Sequence, residues 1–115
     1  MLLDFWGTWC RPCIALLPEL RQLNQKYKPK GLVLISVAND KKESYNKLTK
    51  MLKDHRMNWT NLFDDQELKG SIANQYEVEC FPTSILVNPK GKIIFRSCGT
   101  EDFEELKKQL AEVMQ

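Results

Sequence analysis

Histidine is nearly missing from this chain: His55 is the only one among 115 residues, and no second closely spaced cysteine pair accompanies Cys10 and Cys13. The first scarcity weighs against a Cys–His nucleophile pair, and His55 lies in a polar helical stretch where a surface role is expected. The second weighs against structural zinc, which usually takes two such pairs, so no metal is expected. Long apolar runs are absent too. No stretch approaches the roughly eighteen residues of a membrane span, and no secretory signal pattern is present. Charge of one sign is equally lacking: 17 Lys and Arg against 15 Asp and Glu leave a net charge of +2. Nucleic acid is therefore not an expected partner, and the scattered lysines read as solvated helix faces. The 43% hydrophobic content suffices for one globular domain over residues 1–115 with a real core.

Cysteine is concentrated where it matters. Cys10-Arg11-Pro12-Cys13 follows the short apolar run Leu2-Leu3-Asp4-Phe5-Trp6, which suits a strand. From Ile14 onward Leu17, Leu20, Leu23 and Tyr27 recur at three and four, one face of a helix. Pro12 then falls in the first helical turn, where a missing N–H costs nothing. A thiolate is the nucleophile in disulfide exchange, and a free cysteine with a pKa of about 8.5 is only about 3% ionised at pH 7. The unpaired N–H groups and positive dipole end of the first turn favour the anion on Cys10, and Arg11 adds a cation. Cys10 is expected to be the exposed attacking thiol. Cys13, one turn further in, is expected to be the more buried thiol that resolves the mixed disulfide. A purely structural role is disfavoured, because so small a loop removes little chain entropy.

Trp9-Cys10-Arg11-Pro12-Cys13, preceded by Asp4-Phe5-Trp6, resembles the active site of the thioredoxin superfamily. Cys80-Phe81-Pro82-Thr83-Ser84-Ile85-Leu86-Val87 resembles the family's cis-proline loop and following strand, and Asn88-Pro89-Lys90-Gly91-Lys92 its hairpin turn. The resemblance implies a cis Phe81-Pro82 bond beside the cysteines, with the N–H and C=O of Phe81 open to an extended substrate segment. It also places Trp9 next to the thiols as an apolar docking surface, with Arg11, Pro12, Phe81 and Pro82 completing the substrate side. Asp4 matches the buried aspartate of thioredoxin. A carboxyl group buried there has a raised pKa and is suited to taking the proton of Cys13 during resolution.

Between Cys13 and Pro82 the pattern predicts a strand at 32–37, a charged helix at 41–57, an extended stretch at 59–62 and a helix near 67–76. That is one helix and one strand more than plain thioredoxin carries there. The insertion resembles the extracytoplasmic thiol:disulfide reductases of cytochrome c maturation and spore maturation, as do Thr8 and Pro18. Leu16 and Asp4 depart from that branch, which commonly has glutamate and asparagine there. The implied fold is α/β and thioredoxin-like, a central mixed sheet flanked by helices. The implied function is a thiol:disulfide oxidoreductase that reduces protein disulfides, with a disulfide oxidase or isomerase and a non-catalytic binding module as alternatives. Protein disulfide substrates, an upstream electron donor, a monomeric state and no cofactor beyond the Cys10–Cys13 disulfide go with it. So does a location in the bacterial periplasm or envelope, with the cytoplasm as the alternative. Met1-Leu2-Leu3-Asp4 begins inside the first strand, so the chain is expected to be a fragment lacking its native N-terminal region.

The remaining pattern predicts a hairpin from 85–87 and 93–96, and a final helix capped by Thr100 with Phe103, Leu106, Leu110 and Val113 buried. Trp59 and Phe63 are expected to fill the core under the insertion. Cys80 and Cys98 are expected to be inert small apolar side chains, with a second disulfide or peripheral regulatory thiols as alternatives.

Overall fold

Leu2–Trp6 forms β1, buried at every position, in a computed structural model that describes residues 1–115. Helix α1 (Arg11–Tyr27) follows, then β2 (Leu34–Asp40), α2 (Tyr45–Asp54), β3 (Thr60–Asp65), α3 (Ile72–Gln75), β4 (Thr83–Val87), β5 (Ile93–Cys98) and α4 (Phe103–Val113). The strands make one sheet in the order β3-β2-β1-β4-β5. β1, β2 and β3 run parallel, as helical crossovers require, whereas β4 and β5 are antiparallel to their neighbours. The expected mixed sheet and the additional helix and strand, α2 and β3, are both present.

Alternation along β1 sends its residues to two cores. Leu2 and Trp6 join the larger cluster with Cys10, Cys13, Leu17 and Leu20 of the α1 region and with Leu106 and Leu110 of α4. Leu3 and Phe5 join the smaller cluster on the opposite face, beside Ala73 of α3. Asp4, between Leu2 and Trp6, therefore faces the side covered by α1. Trp59 and Phe63 pack against the larger cluster as expected.

Several boundaries differ from the sequence pattern. The charged helix begins at Tyr45 after a short 3-10 turn and ends at Asp54; Arg56 takes φ 52° and the Met57 N–H turns back to Leu52 O. Met57 is buried, but beyond the helix rather than in it. The helix expected near 67–76 shrinks to Ile72–Gln75, because the carboxylate of Asp64 accepts from the N–H groups of Ile72 (2.6 Å) and Ala73 (3.0 Å) and fixes the helix start there. Helix α4 starts after Asp102; the Thr100 carbonyl, not its side chain, accepts from Phe103 N–H. Val113, the last residue of α4, is exposed. Met1 places its amino group on Val87 O at 2.8 Å, and no helix is long and apolar enough to cross a membrane.

Candidate active site

Cys10 is the N-cap of α1. Its backbone is extended (φ −102°, ψ 99°) and its Sγ accepts a hydrogen bond from Cys13 N–H at 3.3 Å, one of the orphan donors of the first turn. Arg11 and Pro12 open the helix, both exposed, and the first turn contains no acid to oppose a negative charge on sulfur. Cys10 and Cys13 are joined as a disulfide with their Cα atoms 5.3 Å apart.

The expected difference in burial between the two thiols is not present in this oxidised state. Cys10 is 4% exposed and Cys13 2%. Cys10 is drawn into the main core cluster, against which Phe81 also packs, so the first cysteine is buried instead of lying on the surface.

Next to Cys10 in the chain stands the indole of Trp9, in contact with Phe81. It is 51% exposed yet held firmly: Nε1–H donates to Asn39 O at 2.9 Å, and its ring meets Phe81 edge-on with centroids 5.2 Å apart. The indole lies directly on Gly7, where a Cβ would come 2.3 Å from Nε1. Asp40, fully buried at the end of β2, fixes the approach to the cysteines. Its carboxylate accepts from Thr8 N–H at 3.1 and 3.3 Å and from Thr8 Oγ1 at 2.6 Å. Gly7, Thr8, Asn39 and Asp40 were not among the sequence candidates. The available signal was an Asn-Asp pair at the end of the apolar run 31–38, where a parallel strand delivers its residues to the site.

The Phe81-Pro82 peptide is cis, as the resemblance implied. Pro82 is buried, and its carbonyl accepts from Gly99 N–H at 2.8 Å. Phe81 is half-buried, and its own N–H and C=O have no partner within the chain. Trp9, next to Cys10 in the chain, and Phe81, packed on the cluster that holds Cys10 and Cys13, thus form one aromatic wall with unsatisfied backbone groups beside it. Asp4 lies on β1 beneath α1, 2% exposed, and accepts from Ser36 Oγ at 2.8 Å. Burial pushes its carboxyl up to about 7, the hydrogen bond from Ser36 acting in the opposite sense. His55 is the C-cap residue of α2, its carbonyl accepting from Arg21, and has no part in this constellation.

Cys80 and Cys98 correct the expectation of inert side chains. They are joined to each other, Cα atoms 5.8 Å apart, with Cys80 half-buried and Cys98 exposed at the end of β5. The cause is strand register: Cys98 lies opposite Thr83, and the loop leading into Thr83 folds back on the end of its neighbour.

Comparison with known proteins agrees with the geometry. A family model described as thioredoxin-like matches residues 1–93. The chain is 32% identical over 114 residues to the thiol-disulfide oxidoreductase ResA of Bacillus cereus, covering 98% of this chain and 62% of that protein's length. Among solved structures, a putative thiol:disulfide interchange protein DsbE from Chlorobium tepidum superposes with a TM-score of 0.87 at 33% identity, over 99% of this chain and 79% of that one. A thiol-disulfide oxidoreductase from Bacteroides fragilis gives 0.73 at 31% identity, over 95% and 79%.

Proposed function

This chain belongs to the thioredoxin-like family, and from that premise we propose that it is a thiol:disulfide oxidoreductase that reduces disulfides in proteins through Cys10 and Cys13. The observation that carries the reading is the Cys10 Sγ acting as the helix cap, accepting from Cys13 N–H with Arg11 beside it. Reduced Cys10 in that position has its thiolate favoured by the helix terminus first and by Arg11 second.

The reaction consumes one disulfide and two thiols. The Cys10 thiolate attacks one sulfur of the substrate disulfide, and the other leaves as a thiolate that takes up a proton. Cys13, losing its proton, then attacks Cys10 Sγ, closes the Cys10–Cys13 disulfide and releases the second substrate sulfur. Asp4, on the face beneath α1 and with a carboxyl near 7, is the group suited to accept the Cys13 proton, directly or through a water. The free N–H and C=O of Phe81 are placed to pair with an extended segment of the substrate, while Trp9, Arg11 and Pro12 form its other wall. Backbone pairing of this kind tolerates varied side chains, which suits protein substrates in general.

An upstream dithiol donor must return electrons to the Cys10–Cys13 disulfide. By analogy with the family branch, the place of action is outside the bacterial cytoplasm, in the periplasm or envelope. A reduction potential measured in glutathione and dithiothreitol buffers, with insulin reduction beside it, tests the proposal. A midpoint near that of thioredoxin, about −270 mV, with insulin turnover supports a reductant. A midpoint toward about −120 mV makes the chain an oxidant, and the absence of both turnover and mixed disulfide leaves only a binding module.

A further inference from the structure

The loop that carries Phe81 and Pro82 is tied down twice at its far side. Gly99 N–H donates to Pro82 O at 2.8 Å, and one residue earlier Cys98 is bonded to Cys80, the residue directly before Phe81. Thr83 Oγ1 donates back to Cys80 O, closing the loop on itself. The hairpin inside the Cys80–Cys98 ring needs no such fastening, because Thr83 and Cys98 are already strand partners and the ladder continues to Val87 and Ile93. What the bond adds is therefore local: it holds residues 80–82, and with them the Phe81 ring that meets Trp9 and the free backbone groups of Phe81.

From this arrangement we propose that Cys80 and Cys98 are a second redox-active couple, which fastens the substrate wall of the groove when oxidised and loosens it when reduced. The proposal rests on the reading of Cys10 and Cys13 as the exchanging pair, whose affinity for substrate the second couple adjusts. Cys98 is exposed, so the bond is open to attack, and exposed disulfides are the labile and regulatory ones. The co-reactant is a low-molecular-weight thiol. Its thiolate attacks Cys98 Sγ, the bond to Cys80 breaks, and the Cys80 sulfur leaves and takes up a proton. A second thiol attacks the mixed disulfide on Cys98 and leaves a free Cys98 thiol. The balance is one protein disulfide and two small thiols in, one protein dithiol and one small disulfide out. Reduction frees Cys80 from β5 while the ladder from Thr83 onward stays in place, so the effect falls on Phe81 and not on the fold.

The test uses the full chain in two steps. Alkylation of the air-oxidised protein followed by peptide mapping by mass spectrometry is expected to give Cys10–Cys13 and Cys80–Cys98, the second opening at its own midpoint across a glutathione series. Next, Cys13→Ser, which keeps Cys10 as a free thiol without added reductant, is compared with the same protein also carrying Cys80→Ser and Cys98→Ser. The triple variant is expected to form its mixed disulfide with a cystine-containing peptide severalfold more slowly at subsaturating peptide. Ellman's reagent, too small to need the groove, is expected to react with both at the same rate. Free Cys80 and Cys98 in the oxidised protein, or equal peptide rates, overturn the proposal. If Cys10 reacts with neither disulfide, the oxidoreductase reading fails instead. The second couple is then judged by the mapping and by the Trp9 indole N–H resonance, which must differ between wild type and Cys80→Ser/Cys98→Ser.

Discussion

Asp4 and Ser36 are cross-strand partners on β1 and β2, and the Ser36 hydroxyl donates to Asp4 Oδ2 at 2.8 Å. The direction of that bond is settled by a third residue. Trp59 Nε1–H, which can only donate, points at Ser36 Oγ from 2.9 Å, so the single hydroxyl hydrogen is left for Asp4. The pair sits in a polar row across the entire sheet: Asn61, Ser36, Asp4, Ser84 and Ser97 occupy matching positions on β3, β2, β1, β4 and β5. A carboxylate in the middle of a buried sheet opposes stability, so the group holds its proton to higher pH, and that titration is the measurable consequence.

Stability of the oxidised protein is expected to fall as pH rises from about 4 to about 7. The Asp4 pKa is raised from 3.8 to about 7 in the folded chain, so over that window the folded state holds a proton that the unfolded state has lost. Stability declines through the window and is level above it. The gap between 3.8 and about 7 corresponds to roughly 4 kcal/mol. Asp4→Asn removes the contribution. Urea unfolding should find the variant the more stable protein at pH 8, by up to that amount, and the two nearly equal at pH 3.5. A wild type that gains stability relative to the variant between pH 4 and 7 would contradict the burial-dominated titration.

Ser36→Ala is expected to raise the Asp4 pKa further, because the carboxylate loses the one hydrogen bond that favours its charged form. It also strands the Trp59 indole N–H, at a cost of about 1–3 kcal/mol. Trp59→Phe leaves the Ser36 hydroxyl in place but free to turn, so its effect on Asp4 should have the same direction and be smaller. Carbon-13 resonances of the Asp4 carboxyl across pH measure all three proteins. Identical midpoints would detach Ser36 from the acid.

How far the sequence carried these conclusions depended on the range of the contacts involved. β1 and the start of α1 were legible because the apolar run, the helical periodicity and Pro12 all lie within two dozen residues of one another. The pairing of Cys80 with Cys98 was not, because it follows from the register of β4 against β5 and sequence gives no Cα separation. The start of α3 at Ile72 was hidden only in part: its N-cap, Ser71 Oγ accepting from Asn74 N–H, is local, whereas the Asp64 carboxylate that accepts from the Ile72 and Ala73 N–H groups comes from another element. Thr8 and Asp40 are 32 positions apart, and only the parallel packing of β1 on β2 makes them one unit. The burial of Cys10 escaped for the same reason: Phe81, packed on the same cluster, arrives from the far side of the fold.

Gly7→Ala is expected to dislodge Trp9. The added methyl would sit 2.3 Å from Nε1 and 2.6 Å from Cε2, closer than any relaxed contact, while the half-exposed indole has solvent to swing into. Its bond to Asn39 O would be lost, for a net cost of about 1 kcal/mol in stability. The larger effect should be on recognition, with insulin reduction slowed and Ellman's reagent reacting with Cys10 as before. The Trp9 indole resonance reports the displacement directly. An unmoved resonance would mean that the backbone, not the indole, gives way.

The two cysteines are expected to have unlike roles despite nearly equal burial. Cys10 caps the helix, its sulfur facing the Cys13 N–H and the first-turn dipole, a setting that favours the thiolate. Cys13, the third residue of the helix, gives its own N–H to Cys10 Sγ and faces the side of the sheet that carries Asp4. Attack on a substrate disulfide therefore belongs to Cys10, and resolution to Cys13. Cys10→Ser should abolish insulin reduction. Cys13→Ser should accumulate a Cys10–substrate mixed disulfide that intact mass spectrometry reads as an adduct, removed by dithiothreitol. Combining Cys13→Ser with Arg11→Gly should slow adduct formation at pH 7 and bring it back toward the parent rate at higher pH, as the thiolate fraction recovers. An adduct on Cys13 in the Cys10→Ser protein, at a rate comparable to that of Cys10, would reverse the assignment and move the nucleophile off the helix cap.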